Sequence, residues 1–367
     1  MNNAVMTFLK CMRWPLRLAI FSLALVSQGV HAQQYELPTD GSTIIGAPRL
    51  VAPDQRNTLL DIARYFDLGH HEITWANPTV DTWLPHQHGP VLIPTEYILP
   101  PKPWTGIVIN ISQRRLFYFP TPAKGEPANV ITLPISIARE GWSTPLGDTK
   151  IVGKHKDPAW WVPKSIQEEH KAEGIEDFPE YFPPGPDNPM GMLAIQLGFK
   201  SIFIHGTNRP WGVGMRTSHG CLHLYPEDAV VLFDLIKPGV PVRVIDEPVV
   251  VGVRDNQLYL AHYQPVAEYG TSQDAMTRTV VALAPFLQSA VQPTAEDKPQ
   301  PVFNVDWDRV RLALSGPQVL PISIAPASDT REDRLAALTV EPYHEEPFGT
   351  DANNAMPPER DRPATAE

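Results

Sequence analysis

The sequence predicts a mainly β, α+β protein: a small βααβ unit, then a larger strand-rich domain, then a loosely built carboxyl region. Three observations carry that prediction. The chain has 41 prolines in 367 residues, and proline fixes φ and removes a backbone donor, which disfavours long helical bundles. Apolar spacing is helical at Leu59, Ile62, Ala63 and Phe66, but beyond residue 105 it turns into β-branched and aromatic runs. Within residues 105–249 only 226–236 reads firmly as a helix.

The elements follow in order. Lys10, Arg13 and Arg17 precede a short apolar run over 18–26, and Val30-His31-Ala32 offers a small-residue cleavage pattern before Gln33. This is the layout of a secretory signal peptide over 1–32. The run is shorter than the ~20 residues a membrane-spanning helix needs. The expectation is an exported chain, cleaved after Ala32.

Residues 46–99 form the compact unit. A helix starts near Thr58, with Asn57 as its expected N-cap. A second short helix fits 71–76, ended by Asn77-Pro78, and Val91-Leu92-Ile93 closes the unit as a strand. Pro100-Pro101-Lys102-Pro103 reads as a stiff linker. After it, 107–111 and 115–119 read as a hairpin, with further strands over 130–138, 194–197, 201–204 and 240–245. The helix over 226–236 has Pro226 at its start, Glu227 and Asp228 in its first turn, and Lys237-Pro238-Gly239 at its end. In the extension over 250–325, Gln257-Leu258-Tyr259-Leu260 resembles an edge strand, and helices fit 272–288 and 306–314. Residues 326–367 hold ten acidic and four basic residues without periodicity and read as a disordered acidic tail.

A net charge of −11 argues against nucleic acid as a partner, because phosphate binding needs clustered Lys and Arg. Removal of 1–32 takes Cys11 away and leaves Cys221 alone. Thiols in oxidising compartments normally pair as disulfides, so a solitary one is an intermolecular link, a reactive group or an inert core residue.

The neighbours of Cys221 favour reactivity. An apolar strand, Ile202-Phe203-Ile204, delivers His205 to its end. Ser218-His219-Gly220-Cys221-Leu222-His223 follows, and the helix from Pro226 comes directly after. A thiol with pKa ~8.5 is mostly protonated near neutrality, while the thiolate is the attacking species. An imidazole can take that proton and later return it to a leaving amine. Gly220 permits a tight turn aiming backbone amides at one spot, where they can stabilise an oxyanion. His219, Cys221 and His223 alternate and would share a face in an extended segment. That leaves a zinc-binding reading open, although no further cysteine or carboxylate completes a typical set. Trp142, Trp160 and Trp161 are core or groove residues, and Glu168, Glu169 and His170 read as a solvent-facing set.

These motifs resemble the L,D-transpeptidase catalytic domain, whose signature runs His, a mid-teens gap, then Ser/Thr-His-Gly-Cys. The likeness extends over Asn110-Ile111 to Pro120, Arg139-Glu140-Gly141-Trp142-Ser143-Thr144-Pro145-Leu146-Gly147, Asn188-Pro189-Met190-Gly191 and His205-Gly206-Thr207-Asn208, in the manner of the Gram-negative periplasmic subgroup. Asn57-Thr58-Leu59, Ile73-Thr74-Trp75-Ala76-Asn77-Pro78 and Val91-Leu92-Ile93-Pro94 are similar to a LysM peptidoglycan-binding module. The usual Gly-Asp before Thr-Leu is replaced by Gln55-Arg56-Asn57.

The resemblance implies a β-sandwich-type catalytic domain over 105–249 behind a LysM-like module. It implies Cys221 as nucleophile, His205 as acid/base, His219 and Ser218 as support, and the amides of His219, Gly220 and Cys221 as an oxyanion hole. Trp142, Thr207, Asn208, Arg216 and His223 become candidates for contacting substrate. His223 stands where the subgroup commonly has Arg. The implied reaction is peptidoglycan cross-linking in the periplasm, on stem tetrapeptides, with no cofactor or metal. A second stem, an outer-membrane lipoprotein lysine or water would accept the acyl group. A catalytically dead wall-binding protein is the remaining alternative.

Overall fold

The computed structural model describes residues 33–270, 274–288, 303–326 and 328–345. The expected signal peptide lies outside them. Among the described residues no helix is long and apolar enough to cross a membrane.

The chain opens with strand β1 (Gln33–Glu36), followed by β2 (Ile44–Gly46), β3 (Arg49–Ala52), α1 (Leu59–Tyr65), α2 (His70–Ala76), β4 (Val91–Ile93) and β5 (Glu96–Ile98). The βααβ order over 49–93 is the expected one, with β3 antiparallel to β4 at Leu50↔Leu92. Thr58, not Asn57, caps α1. Its hydroxyl accepts from the Asp61 amide while the Asp61 carboxylate accepts from the Thr58 amide, the reciprocal box that satisfies two orphan donors. Asn57 is buried and reaches the Glu345 carbonyl. Asn77 closes α2 by donating to the Ile73 and Leu92 carbonyls and accepting from the Leu92 amide at 2.7 Å, which sews helix to strand.

The next strands are β6 (Gly106–Asn110), β7 (Arg115–Phe119), β8 (Asn129–Pro134), β9 (Ile137–Ala138), β10 (Gly147–Lys156) and β11 (Trp160–Trp161). Helix α3 (Lys164–Ala172) leads to β12 (Tyr181–Phe182), β13 (Leu193–Leu197), β14 (Phe203–His205), β15 (Arg216–Ser218) and β16 (Leu222–His223). Helix α4 (Pro226–Leu235) and β17 (Pro241–Ile245) complete this part. Nine strands join in one mixed sheet, ordered β1-β8-β7-β6-β17-β10-β13-β14-β16. The predicted hairpin is there, with Ile107↔Tyr118 in register.

The strands alternate sides, and both sides are covered. Ile107, Ile109, Leu133, Ile195, Ile204 and Leu222 pack with Ala229, Leu232 and Phe233 of α4. Val108, Phe117, Phe119 and Val130 pack instead with Leu59, Ile62, Phe66 and Ile73 of the βααβ unit. Residues 100–103 therefore connect two parts that share a core, where the sequence suggested modules on a spacer. A buried ion pair reinforces the junction. Arg115, fully buried, donates to both Glu72 oxygens at 2.8 and 2.9 Å, to the Tyr97 hydroxyl, and to the Asp67 carbonyl.

The carboxyl region comprises β18 (Val249–Arg254), β19 (Gln257–His262), α5 (Ala275–Gln288), α6 (Trp307–Ala313), β20 (Gln318–Ser323), α7 (Arg331–Ala336) and β21 (Val340–Pro342). The expected edge strand at 257–260 is the central strand of β18-β19-β20, because β20 arrives from sixty residues downstream in sequence to cover its free side.

The acidic tail also departs from expectation. Residues 328–345 are ordered: Thr330 and Asp333 box the start of α7, Arg334 binds Glu96 at 2.7 Å, and β21 pairs parallel with β3. Tyr343 is buried against Tyr65 and Phe66. The segment is held piecewise by contacts with the βααβ unit, so it needs no periodicity of its own. The rest of the expected tail lies outside the described residues.

Candidate active site

Two parallel strands build the site. Ile204 of β14 pairs with Leu222 of β16, and both face the core. His205 ends β14, and Cys221 stands immediately before β16, its Sγ 3.8 Å from the Ser201 carbonyl oxygen. His223 lies directly across from His205, their ring centroids 4.6 Å apart. His205 and His223 thus meet at the strand ends, His223 two residues after Cys221.

His205 is buried, and its Nδ1 lies 2.7 Å from the Gly206 carbonyl. A carbonyl only accepts, so Nδ1 carries the proton and Nε2 keeps its lone pair for a proton arriving from outside. Burial lowers the His205 pKa to about 4, against the pull of the Gly206 and Met190 backbone. Burial likewise raises the Cys221 thiol to about 11, although the Phe203 backbone favours the thiolate. Burial thus disfavours the charged form of each group. His223 is pushed well below its ordinary value by burial and by His205 and His219, and stays uncharged beside the base.

The loop at 218–221 is shaped by Ser218. Its hydroxyl accepts from the Gly220 amide at 3.2 Å and donates to the Cys221 carbonyl. The Gly220 amide, one of the three expected oxyanion donors, is thereby engaged by Ser218. Gly220 has φ +117°, and a Cβ there would meet the Ser143 carbonyl oxygen at 3.1 Å. The Gly220 carbonyl accepts from the Thr144 hydroxyl at 2.8 Å, and Tyr269 in turn brackets the Thr144 backbone through both its amide and its carbonyl.

His219 points into a polar cluster. Its Nε2 lies 2.7 Å from Glu169 Oε2, and the other oxygen of Glu169 accepts from Trp142 Nε1 at 3.2 Å. The Trp142 and His219 rings meet edge to face at 4.9 Å. Burial lowers the His219 pKa while Glu169 works against that shift. Glu169 and His170 were expected to face solvent; instead Glu169 is half-buried on α3 and ties that helix to the catalytic loop, while Glu168 is exposed. Contact between residues fifty positions apart leaves no mark in local sequence.

The other candidates sit further out. Arg216 donates to the Ala138 carbonyl at 3.0 Å and pairs with Glu268, fixing β15 against β9. Thr207 caps the following turn by accepting from the Arg209 amide, and it lines a small surface recess with Gly191, Met192, Pro226 and Val230. Asn208 donates to the Asp187 carbonyl at 3.1 Å. Among the described residues no group of three or more His, Cys, Asp or Glu side chains is placed to hold a metal.

Residues 105–244 match the family YkuD, described as the L,D-transpeptidase catalytic domain. The chain is 32% identical over 308 residues to the probable L,D-transpeptidase ErfK/SrfK of Salmonella typhimurium, covering 83% of this chain and 95% of that protein. It is 38% identical over 253 residues to the probable L,D-transpeptidase YbiS of Escherichia coli, covering 68% and 81%. A third relative, the probable L,D-transpeptidase YcfS of Escherichia coli, is 34% identical over 262 residues, covering 70% and 80%.

Proposed function

The chain belongs to the L,D-transpeptidase family, acyltransferases acting on peptidoglycan, and from that premise we propose that Cys221 and His205 carry the reaction. The observation behind this reading is the parallel register of β14 and β16, which sets Cys221 immediately before the strand paired with the one that ends in His205. Cys221 Sγ attacks the carbonyl between the third and fourth residues of a stem tetrapeptide, at the bond from the L-centre of meso-diaminopimelate to D-alanine. His205 Nε2 takes the thiol proton as the sulfur–carbon bond forms, since burial disfavours the charged form of each group beforehand. The same nitrogen then protonates the departing D-alanine amine and leaves a thioester. An amine attacks the thioester, His205 removes its extra proton, and the thiol is regenerated.

The developing oxyanion is assigned to the amides of His219 and Cys221, since Ser218 holds that of Gly220. Trp142, Thr207, Asn208, Arg216 and His223 remain candidates for substrate contact. Trp142 and His223 are the best placed, by their contacts with His219 and His205.

The acceptor is a second stem, giving a 3→3 cross-link, or the lysine of an outer-membrane lipoprotein; water would make the enzyme an L,D-carboxypeptidase. The strand-rich part over 105–249 is read as the sandwich-type catalytic domain. Residues 46–99 are read as a LysM-like module that holds the glycan, on the strength of their βααβ order. Export through a cleaved signal peptide places the enzyme in the periplasm. A carbapenem, whose strained ring is opened by a thiolate, tests the nucleophile. One adduct on Cys221, absent from Cys221→Ala, is expected, and an adduct retained by Cys221→Ala overturns the assignment. Mass analysis of tetrapeptide muropeptides, with and without the lipoprotein's carboxyl-terminal peptide, identifies the acceptor.

A further inference from the structure

A second polar cluster lies away from Cys221, where β1 meets the loop after α1 and the first turn of α4. Asp67 and Asp228 are both buried, at 1% and 0% exposure, with their carboxyl groups against each other. Neither Asp228 oxygen has a hydrogen-bond donor among the described residues, nor does Asp67 Oδ1. The cations nearby are matched elsewhere: Arg115 binds Glu72 and Arg64 binds Glu227, both at close range. Two acids therefore remain in a dry site with one donor, the backbone N–H of Gln33, 2.8 Å from Asp67 Oδ2. Arg115 acts on both carboxyls through space, but its guanidinium is bound to Glu72 and to the Asp67 carbonyl, so an amide leaves the two acids without a cation of their own, and buried carboxylates so placed are costly.

Gln33 is also the residue that signal cleavage after Ala32 would expose. We infer that the α-ammonium of Gln33, created by hydrolysis of the Ala32–Gln33 bond, is the cation this cluster is built to receive, so that removing the leader completes the fold. The inference rests on the export reading above. Cleavage consumes one water and turns a neutral donor into a charged one at the same atom. Asp67 then gains an ion pair, and one shared proton suffices between it and Asp228. The consequence reaches the catalytic strand, because Asp228 opens α4 directly after β16, and Tyr225 between them donates to the Leu68 carbonyl at 2.9 Å. The Gln33 side-chain amide donates to the Phe66 carbonyl. A held side chain and a protonated amine cannot cyclise to pyroglutamate with loss of ammonia.

The test uses the full chain exported with its own leader. Mass spectrometry and amino-terminal sequencing come first: a free, uncyclised Gln33 is expected, and a different first residue sinks the cleavage premise rather than the ion pair. Amine-reactive labelling at pH 7 then compares the native α-amine with the same protein in urea. Each unit by which the ion pair raises an amine pKa of ~7.7–8.0 cuts the reactive neutral form about tenfold, so the native terminus should label at least about tenfold more slowly. Equal rates, or a cyclised terminus, overturn the inference. A protein keeping a short extension before Gln33 should melt lower than the mature form, and Asp67→Asn should abolish that difference. A difference that persists in Asp67→Asn also overturns it.

Discussion

The His223 ring stands 4.6 Å from the His205 ring, directly across from it on the neighbouring strand. A base that must accept a proton is thus flanked by a second imidazole that burial keeps neutral. Two imidazolium ions at that separation would repel, so the neutrality of His223 is what lets His205 become charged during attack.

The first prediction follows from the effect of burial on the thiol. With the thiol raised to about 11, iodoacetamide alkylation of Cys221 should be slow at pH 7. It should climb about tenfold per pH unit toward that value. A plateau already reached below pH 7 would mean that the pair rests as thiolate and imidazolium.

His223→Arg places a permanent cation two residues along the chain from the sulfur. A nearby positive charge favours thiolate over thiol, so the alkylation midpoint should move down by about one unit or more, and His223→Gln should move it less. Coincident curves for the two variants would remove His223 from the electrostatics of the site.

Glu169→Gln removes the carboxylate that holds the His219 pKa up. The His219 ring should then titrate lower still by NMR, and carbapenem acylation should slow by about tenfold as the loop loses a charge-assisted bond. An unmoved His219 titration would show that the contact is not formed in solution.

Gly220→Ala forces a side chain into φ +117° against the Ser143 carbonyl oxygen. A cost of about 1–3 kcal/mol is expected from the backbone alone, read as a lower urea midpoint, together with loss of acylation. Wild-type acylation by this variant would detach the turn from catalysis.

Glu72→Ala strands the fully buried Arg115 guanidinium and should destabilise the protein by about 3–5 kcal/mol, whereas Glu72→Leu with Arg115→Met should cost much less. Denaturant titration of both variants decides. Similar losses would show that packing, not charge, holds the junction.

The strand and turn that present the proposed pair were plain in the sequence, and their surroundings were not. His205 and the Ser218–Cys221 turn were legible because a strand, a turn and a helix start within about twenty residues dictate their own geometry. The capping of α1 was legible to within one residue, since Thr58 and Asp61 satisfy each other locally. Glu169 was not, because its partner is fifty positions away. Arg115 was legible as a strand residue, but its burial depends on Glu72 and Tyr97 arriving from another part of the chain. The ordered stretch after 328 was hidden for the same reason: its stability comes from Tyr65, Phe66 and Glu96, and its own composition is that of a solvated tail.

The pairing of β21 with β3 joins stretches separated by some 290 positions, as the Arg49–Glu341 contact marks. Polypeptides emerge amino end first, so the early βααβ unit has to wait, one strand short, until nearly all of the chain has been delivered. A prematurely ended product leaves β3 with an uncovered flank and its backbone groups unsatisfied. The strand at 340–342 thus acts as a seal on the first domain, and only a chain that reaches it can close that flank.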